Sequence, residues 1–160
     1  LAGAGQFGRA DQGIFAYWIN THLRRRPLKY IGFDGQGHQV RDCLHPRDIV
    51  PLLLKQFAAK SAPATAAPTL SPRICNVAGG ASASMSLRQL TAWCDERFGA
   101  HPVASDPQPR PFDIAWMVLD ASHASKVWGW QPQTPLTTIL DEIAPHAQQH
   151  PEWLDLSAPL

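Results

Sequence analysis

Apolar positions near the start of the chain recur with a helical period. Ile14, Trp18, Ile19 and Leu23, with His22 among them, fall on one face and predict a helix from Asp11 to about Arg25. Asp11 can cap its start, the Arg24–Arg26 run suits the negative end of the helix dipole, and Pro27 stops it. "LKYIGF" (28–33) reads as a strand, and the glycine turn that follows leads into a second extended stretch, "QVRDCLH" (39–45). Asp48 is placed to cap a helix from Ile49 to Phe57, with Ile49, Leu53 and Phe57 aligned and Pro51 in the first turn, where a missing N–H costs little. Residues 58–73, rich in Ala, Pro, Ser and Thr, read as a loop.

The second half repeats the mixture. "ICNVAGG" (74–80) has the pattern of a short buried strand ending at a glycine turn. Ser86 and Gln89 form a capping box for a helix carrying Leu87, Leu90, Cys94 and Phe98, which Gly99 ends. "HPVAS" (101–105) and "IAWMVLD" (114–120) are candidate strands. A short helix from Ala121 to Trp128 ends at Gly129. Thr134 and Pro135 open a last helix, which Pro145 is expected to break or kink. The elements predict an α/β (α+β-like) chain, one lobe over residues 1–160, in which 1–57 and 74–160 flank the loop at 58–73.

Apolar residues make up 44% of the 160, enough for one buried core. The balance of 14 basic and 13 acidic residues gives no basic face for nucleic acid or an anionic membrane. No apolar run reaches membrane-spanning length. Cys43, Cys75 and Cys94 are odd in number and far apart, which predicts free thiols in a reducing, cytoplasmic setting. Leu1 is not an initiator Met and no secretory leader follows it, which points to a piece of a longer chain.

Few residues offer chemistry. Arg41 and Asp42 follow the glycine turn, and an arginine fork suits phosphate; the alternative is a surface arginine paired with a neighbouring acid. "PRPFD" (109–113) presents Arg110 and Asp113 on a proline-stiffened loop, or is a solvated connector. His38 and His45 flank Arg41 as candidate bases, though polar turn residues fit them better. His146 and His150 have the i, i+4 spacing of a metal pair, but Pro145 and the lack of a nearby thiolate or carboxylate argue against one. Trp128–Gly129–Trp130 reads as a packing plug. "GAG" (3–5) lacks both the third glycine and the preceding strand of a dinucleotide loop, no Tyr is followed four residues on by Lys, and no nucleophile elbow is present.

Five stretches taken in order carry a resemblance across nearly the whole chain. They are "GQF…DQG" (5–13), "GQGHQVRDCLHPRDIV" (35–50), "NVAGG" (76–80) followed by "SLRQL" (86–90), "RPFD" (110–113) and "VWGWQPQTPL" (127–136). The chain resembles the extended short-chain dehydrogenase/reductases that act on nucleotide sugars, NAD-dependent epimerases and dehydratases. "DQG" and "IGF" look most like the CDP-paratose (CDP-tyvelose) 2-epimerase branch.

The resemblance implies a C-terminal, substrate-binding lobe, with the Rossmann domain, its NAD loop and its Tyr/Lys pair largely missing from this stretch. The catalytic residues would then lie outside the chain, in an N-terminal dinucleotide-binding domain that is its partner. It implies that Arg41 and Arg110 clamp a pyrophosphate and that Asp113 orients an arginine or takes a ribose hydroxyl. Tyr30 and Phe33 would lie against the base, and Gln6 and Gln12 would reach the sugar or nucleotide. Phe112 stands where the family usually has Gly, and Ala115 where a polar or basic residue is common, departures that would narrow or alter the phosphate loop. Without the partner domain, apolar surface of the first strand and first helix would be exposed, which predicts self-association into homo-oligomers. The competing reading is a stand-alone, non-catalytic module that binds a nucleotide or a partner.

Overall fold

A computed structural model of the chain describes residues 1–6, 13–61 and 74–156. The main core forms where three helices meet. Helix α1 (Ile14–Leu23) packs on α3 (Leu87–Phe98) and α5 (Leu136–Gln149). Phe15, Trp18 and Ile19 of α1 meet Leu90 and Cys94 of α3 and Ile139, Leu140, Ile143, Ala144 and Ala147 of α5, all buried. Asp11 lies outside the described residues, and Gly13, in the left-handed region at φ 70°, stands at the N-terminus of α1 with no side-chain cap. The arginine run serves other helices: Arg24 donates to the Ala147 carbonyl, and Arg25 to the carbonyls of Phe98, Gly99 and Ala100, where α3 ends. Cations thus reach the negative ends of neighbouring helices.

Strand β1 (Leu28–Ile31) pairs in parallel with β4 (Val103–Asp106). Strand β2 (Val40–Asp42) lies between β3 (Ser84–Ser86), antiparallel, and β5 (Trp116–Met117), parallel. The glycine turn joins the two sheets through backbone that most side chains avoid: Gly32, Phe33, Asp34, Gly35 and Gly37 all have positive φ. A Cβ on Gly35 would lie 2.0 Å from Ser105 Oγ, and one on Gly37 would lie 2.6 Å from the Tyr30 ring. The turn is therefore pressed onto β4 and Tyr30, and its glycines answer to packing. Phe33, expected on the strand, sits in this turn, because β1 ends at Ile31.

Several expectations are corrected. The second helix, α2, runs Pro46–Ser61, so it begins earlier, takes in part of the expected loop, and holds Pro51 beyond its first turn. Its start is held by His45, whose Nδ1 accepts from the Arg47 N–H at 3.1 Å. Asp48 staples a distant loop instead, accepting from the N–H groups of Gln133 and Thr134 and from Thr134 Oγ1 at 2.8 Å. "ICNVAGG" has no strand partner among the described residues and forms none; Ile74 is 83% exposed. Only Trp116 and Met117 of "IAWMVLD" pair as a strand. Helix α5 continues through Pro145, because burial of the stripe from Ile139 to Ala147 outweighs a proline cost of about 3 kcal/mol.

A second cluster gathers Leu44, Leu52, Ala124 and Trp130, with α4 (Ser122–Trp128) over it. Trp130 donates its indole N–H to the Asp48 carbonyl at 2.6 Å, as suits a packing plug. A short α6 (Trp153–Leu156) follows α5. The exposed apolar surface differs in place from the expectation: Phe15, Trp18, Ile19 and Leu28 are buried, whereas Val50, Leu53, Leu54 and Phe57 of α2 are exposed. Among the described residues, no helix is long and apolar enough to cross a membrane.

Candidate functional site

A cavity of about 740 Å³ opens between α1, β1, β2 and the loop before β5. Arg41, Arg110 and Asp113 all line it, together with Trp18, Lys29, Gln39 and Phe112. Arg41 sits in the middle of β2, whose pairing on both sides fixes its backbone. Its Nη1 donates to the Val40 carbonyl at 2.8 Å and its Nη2 to Asp113 Oδ1 at 2.7 Å. Asp113 Oδ1 also accepts from the Ile114 N–H at 2.9 Å. The neighbouring acid, Asp42, is occupied elsewhere: its Oδ2 accepts from the Gly80 N–H at 3.0 Å.

The loop that carries Arg110 and Asp113 is a tight turn. The Asp113 N–H donates to the Arg110 carbonyl at 3.3 Å, with Pro111 in the second position. Phe112, in the third, has φ 60° and a fully exposed side chain. A turn with proline second and a left-handed third residue favours glycine there. Phe112, where the resemblance implies Gly, is thus held in glycine-like backbone, and Arg110 stands exposed at the cavity wall.

The other residues singled out from the sequence do not join them. Tyr30 stacks on Trp18 at 5.5 Å between centroids and donates its hydroxyl to Thr91 Oγ1 at 2.7 Å. Its burial holds the phenol above its usual range. Tyr30, Phe33 and Gln6 are absent from the cavity lining, and Gln12 lies outside the described residues. Trp18, Lys29 and Gln39 were missed. The signal for Gln39 was its spacing, since residues two apart on an extended chain share a face with Arg41.

Other candidate chemistry is structural. His45 is bonded at both ring nitrogens, Nδ1 accepting from Arg47 and Nε2 lying 2.9 Å from Glu142 Oε2, so its proton belongs on Nε2. Burial pushes the Cys43 and Cys94 thiols up to about 12, which removes them as nucleophiles. The His146 and His150 rings lie 4.2 Å apart, yet no group of three or more metal-binding side chains occurs among the described residues. A second cavity of about 350 Å³, near Gly80 and Trp130, has no ionisable side chain in its lining.

No protein-family model and no curated protein matches this chain. Solved structures do. A UDP-glucose 4-epimerase of Thermotoga maritima, solved with UDP-glucose, is 21% identical over 94% of the chain, with a TM-score of 0.70. An epimerase of Methanothermobacter thermautotrophicus is 17% identical over 99%, with a TM-score of 0.71. A UDP-glucuronic acid 4-epimerase of Bacillus cereus, solved with NAD, is 20% identical over 92%, with a TM-score of 0.67. These likenesses show the fold. The chain has a mixed α/β fold that matches part of each of these epimerase structures. It spans less than half the length of the neighbours it matches, 44% of the first two and 42% of the third.

Proposed function

We propose that this chain is the C-terminal, nucleotide-sugar-binding part of an NAD-dependent sugar epimerase or dehydratase that works in the cytoplasm. The observation that carries the reading is the convergence of Arg41 and Arg110, from segments far apart in sequence, on one cavity. Two guanidinium groups supply the charge and the paired donors that a dianionic pyrophosphate calls for. Asp113 orients Arg41 through their 2.7 Å contact, and Arg110 would close on the phosphates from the loop. The solved neighbours that hold UDP-glucose or NAD support the same class of ligand and cofactor.

NAD would supply hydride removal and return at a sugar carbon. The described residues do not fit its binding, since no glycine-rich loop among them joins a strand to an α-helix. On this reading the hydride chemistry and its Tyr/Lys pair belong to a dinucleotide domain that would complete the site. The finer reading is a CDP-sugar substrate, which rests on the resemblance of "DQG" and "IGF" alone.

Calorimetric titration with CDP, UDP and dTDP at low salt tests this, on the chain and on an Arg41→Ala, Arg110→Ala double variant. Binding by the chain that the double variant loses supports the clamp, and the preferred base chooses the branch. Equal binding by both proteins would sink it.

A further inference from the structure

Helix α2 is apolar on more sides than its own contacts use. Ile49 and Leu52 turn onto the small cluster with Leu44, Ala124 and Trp130, while Val50, Leu53 and Leu54 stay exposed. A helix with apolar residues all round belongs between two layers. The first helix and first strand, expected to be the bare ones, instead place Phe15, Trp18, Ile19 and Leu28 in the main core.

Residues 74–78 rest on the same small cluster as α2. Cys75 and Val77 pack against it, whereas Ile74 and Asn76 are exposed. That alternation is the period of an extended chain with one face covered. The end of the stretch is fixed. A Cβ on Gly79 would come within 1.9 Å of the Cys43 carbonyl oxygen, and the Gly80 N–H donates to Asp42 at 3.0 Å. Among the described residues, no strand pairs with 74–78. An open edge of this kind takes up a strand from elsewhere.

The two features call for one partner: a strand to complete the hydrogen bonds, carried by a body with apolar surface to cover α2. Val50, Leu53, Leu54, Ile74 and Asn76 carry no charge, so an ionic partner surface gains nothing there. Two of the solved neighbours are matched over only 44% of their own length, so the unmatched part of each is the larger one. We propose that α2 and residues 74–78 form the docking face for the dinucleotide-binding domain, which adds a strand alongside 74–78 and covers the open side of α2. Asp42, which holds Gly80, also lines the cavity, so the docked strand is tied to the cavity wall. The inference rests on the part of the reading above in which such a domain completes the site.

The test is amide hydrogen exchange, followed by mass spectrometry, on the chain and on the complete gene product that contains it. Amides 75–78 should exchange freely in the chain and about a hundredfold more slowly in the complete product. Leu54→Lys with Ile74→Lys should restore fast exchange there, whereas Trp116→Lys, on the exposed strand β5, should not. Equal exchange in the two proteins overturns the docking face, as does a gene product with no further domain. Protection that arises in the chain alone and rises with its concentration gives the edge to a second copy, and overturns the proposal too. Calorimetry of the complete product with UDP keeps the two readings apart. Nucleotide binding without protection at 75–78 overturns the docking face alone; protection without nucleotide binding overturns the nucleotide site and leaves the docking face standing.

Discussion

Arg41 and Asp113 meet at 2.7 Å across 72 positions of sequence, joining the middle of a strand to a proline-bounded turn. Their side chains are 25% and 21% exposed, so water screens the pair only in part. Arg41→Ala and Asp113→Ala, made singly and together, should show a coupling of about 1 kcal/mol in urea denaturation. Strictly additive losses would mean that the contact contributes nothing net.

The turn at Phe112 makes a second prediction. A non-glycine residue in the left-handed region costs roughly 1–2 kcal/mol, and the Phe112 side chain, fully exposed, recovers none of it by burial. Glycine relieves that strain but adds entropy to the unfolded chain. Phe112→Gly should therefore stabilise the protein by about 0.5 kcal/mol or leave it unchanged, read as the urea midpoint. A loss above about 1 kcal/mol would show that the aromatic ring is held by contacts of its own.

Stability should depend on pH through His22. Burial lowers its pKa from 6.5 and outweighs the Asp95 carboxylate at 2.8 Å, while His101 and Arg25 add to the lowering. The folded state then holds His22 neutral where the unfolded state already takes up a proton. Stability is full above about pH 6.5 and is lost as pH falls below it, until the folded imidazole also protonates. His146, lowered by burial and by His150, acts in the same direction. The urea midpoint should drop between about pH 7.5 and about pH 5.5, and by less in His22→Gln. An equal drop in both proteins would clear His22 of the effect.

The apolar face of α2 predicts association. Val50, Leu53, Leu54 and Phe57 recur at helical spacing and are 52%, 43%, 62% and 65% exposed. A contiguous exposed patch of this kind marks an interface. The chain should sediment above its monomer mass of 17.6 kDa, and Val50→Lys with Leu54→Lys should return it to monomer. A monodisperse wild-type monomer at tens of micromolar would count against the prediction.

Much of the local structure was legible in the sequence, because it depends on neighbours in the chain. The capping box is present at Ser86 and Gln89, Gly99 ends α3, and Trp18, Ile19 and His22 of the α1 stripe are buried, with Ile14 and Leu23 half-buried. The period of apolar residues and the chemistry of caps decide such features within a turn or two. What depended on distant partners was not legible. Pro145 was expected to break or kink α5, yet the helix runs on past it where it packs against α1. The resemblance implied Tyr30 against a base, and the structure stacks its ring on Trp18 and bonds its hydroxyl to Thr91 at the edge of the core. "ICNVAGG" has strand composition, but a strand exists only where another offers its hydrogen bonds. The sequence by itself determined which residues have the charge and planarity to hold an anion, Arg41 and Arg110. Tertiary structure alone decided that they line one cavity, that Asp113 rather than Asp42 pairs with Arg41, and that Gln39 joins them, because pairing and burial are set by segments that meet only once the chain has folded.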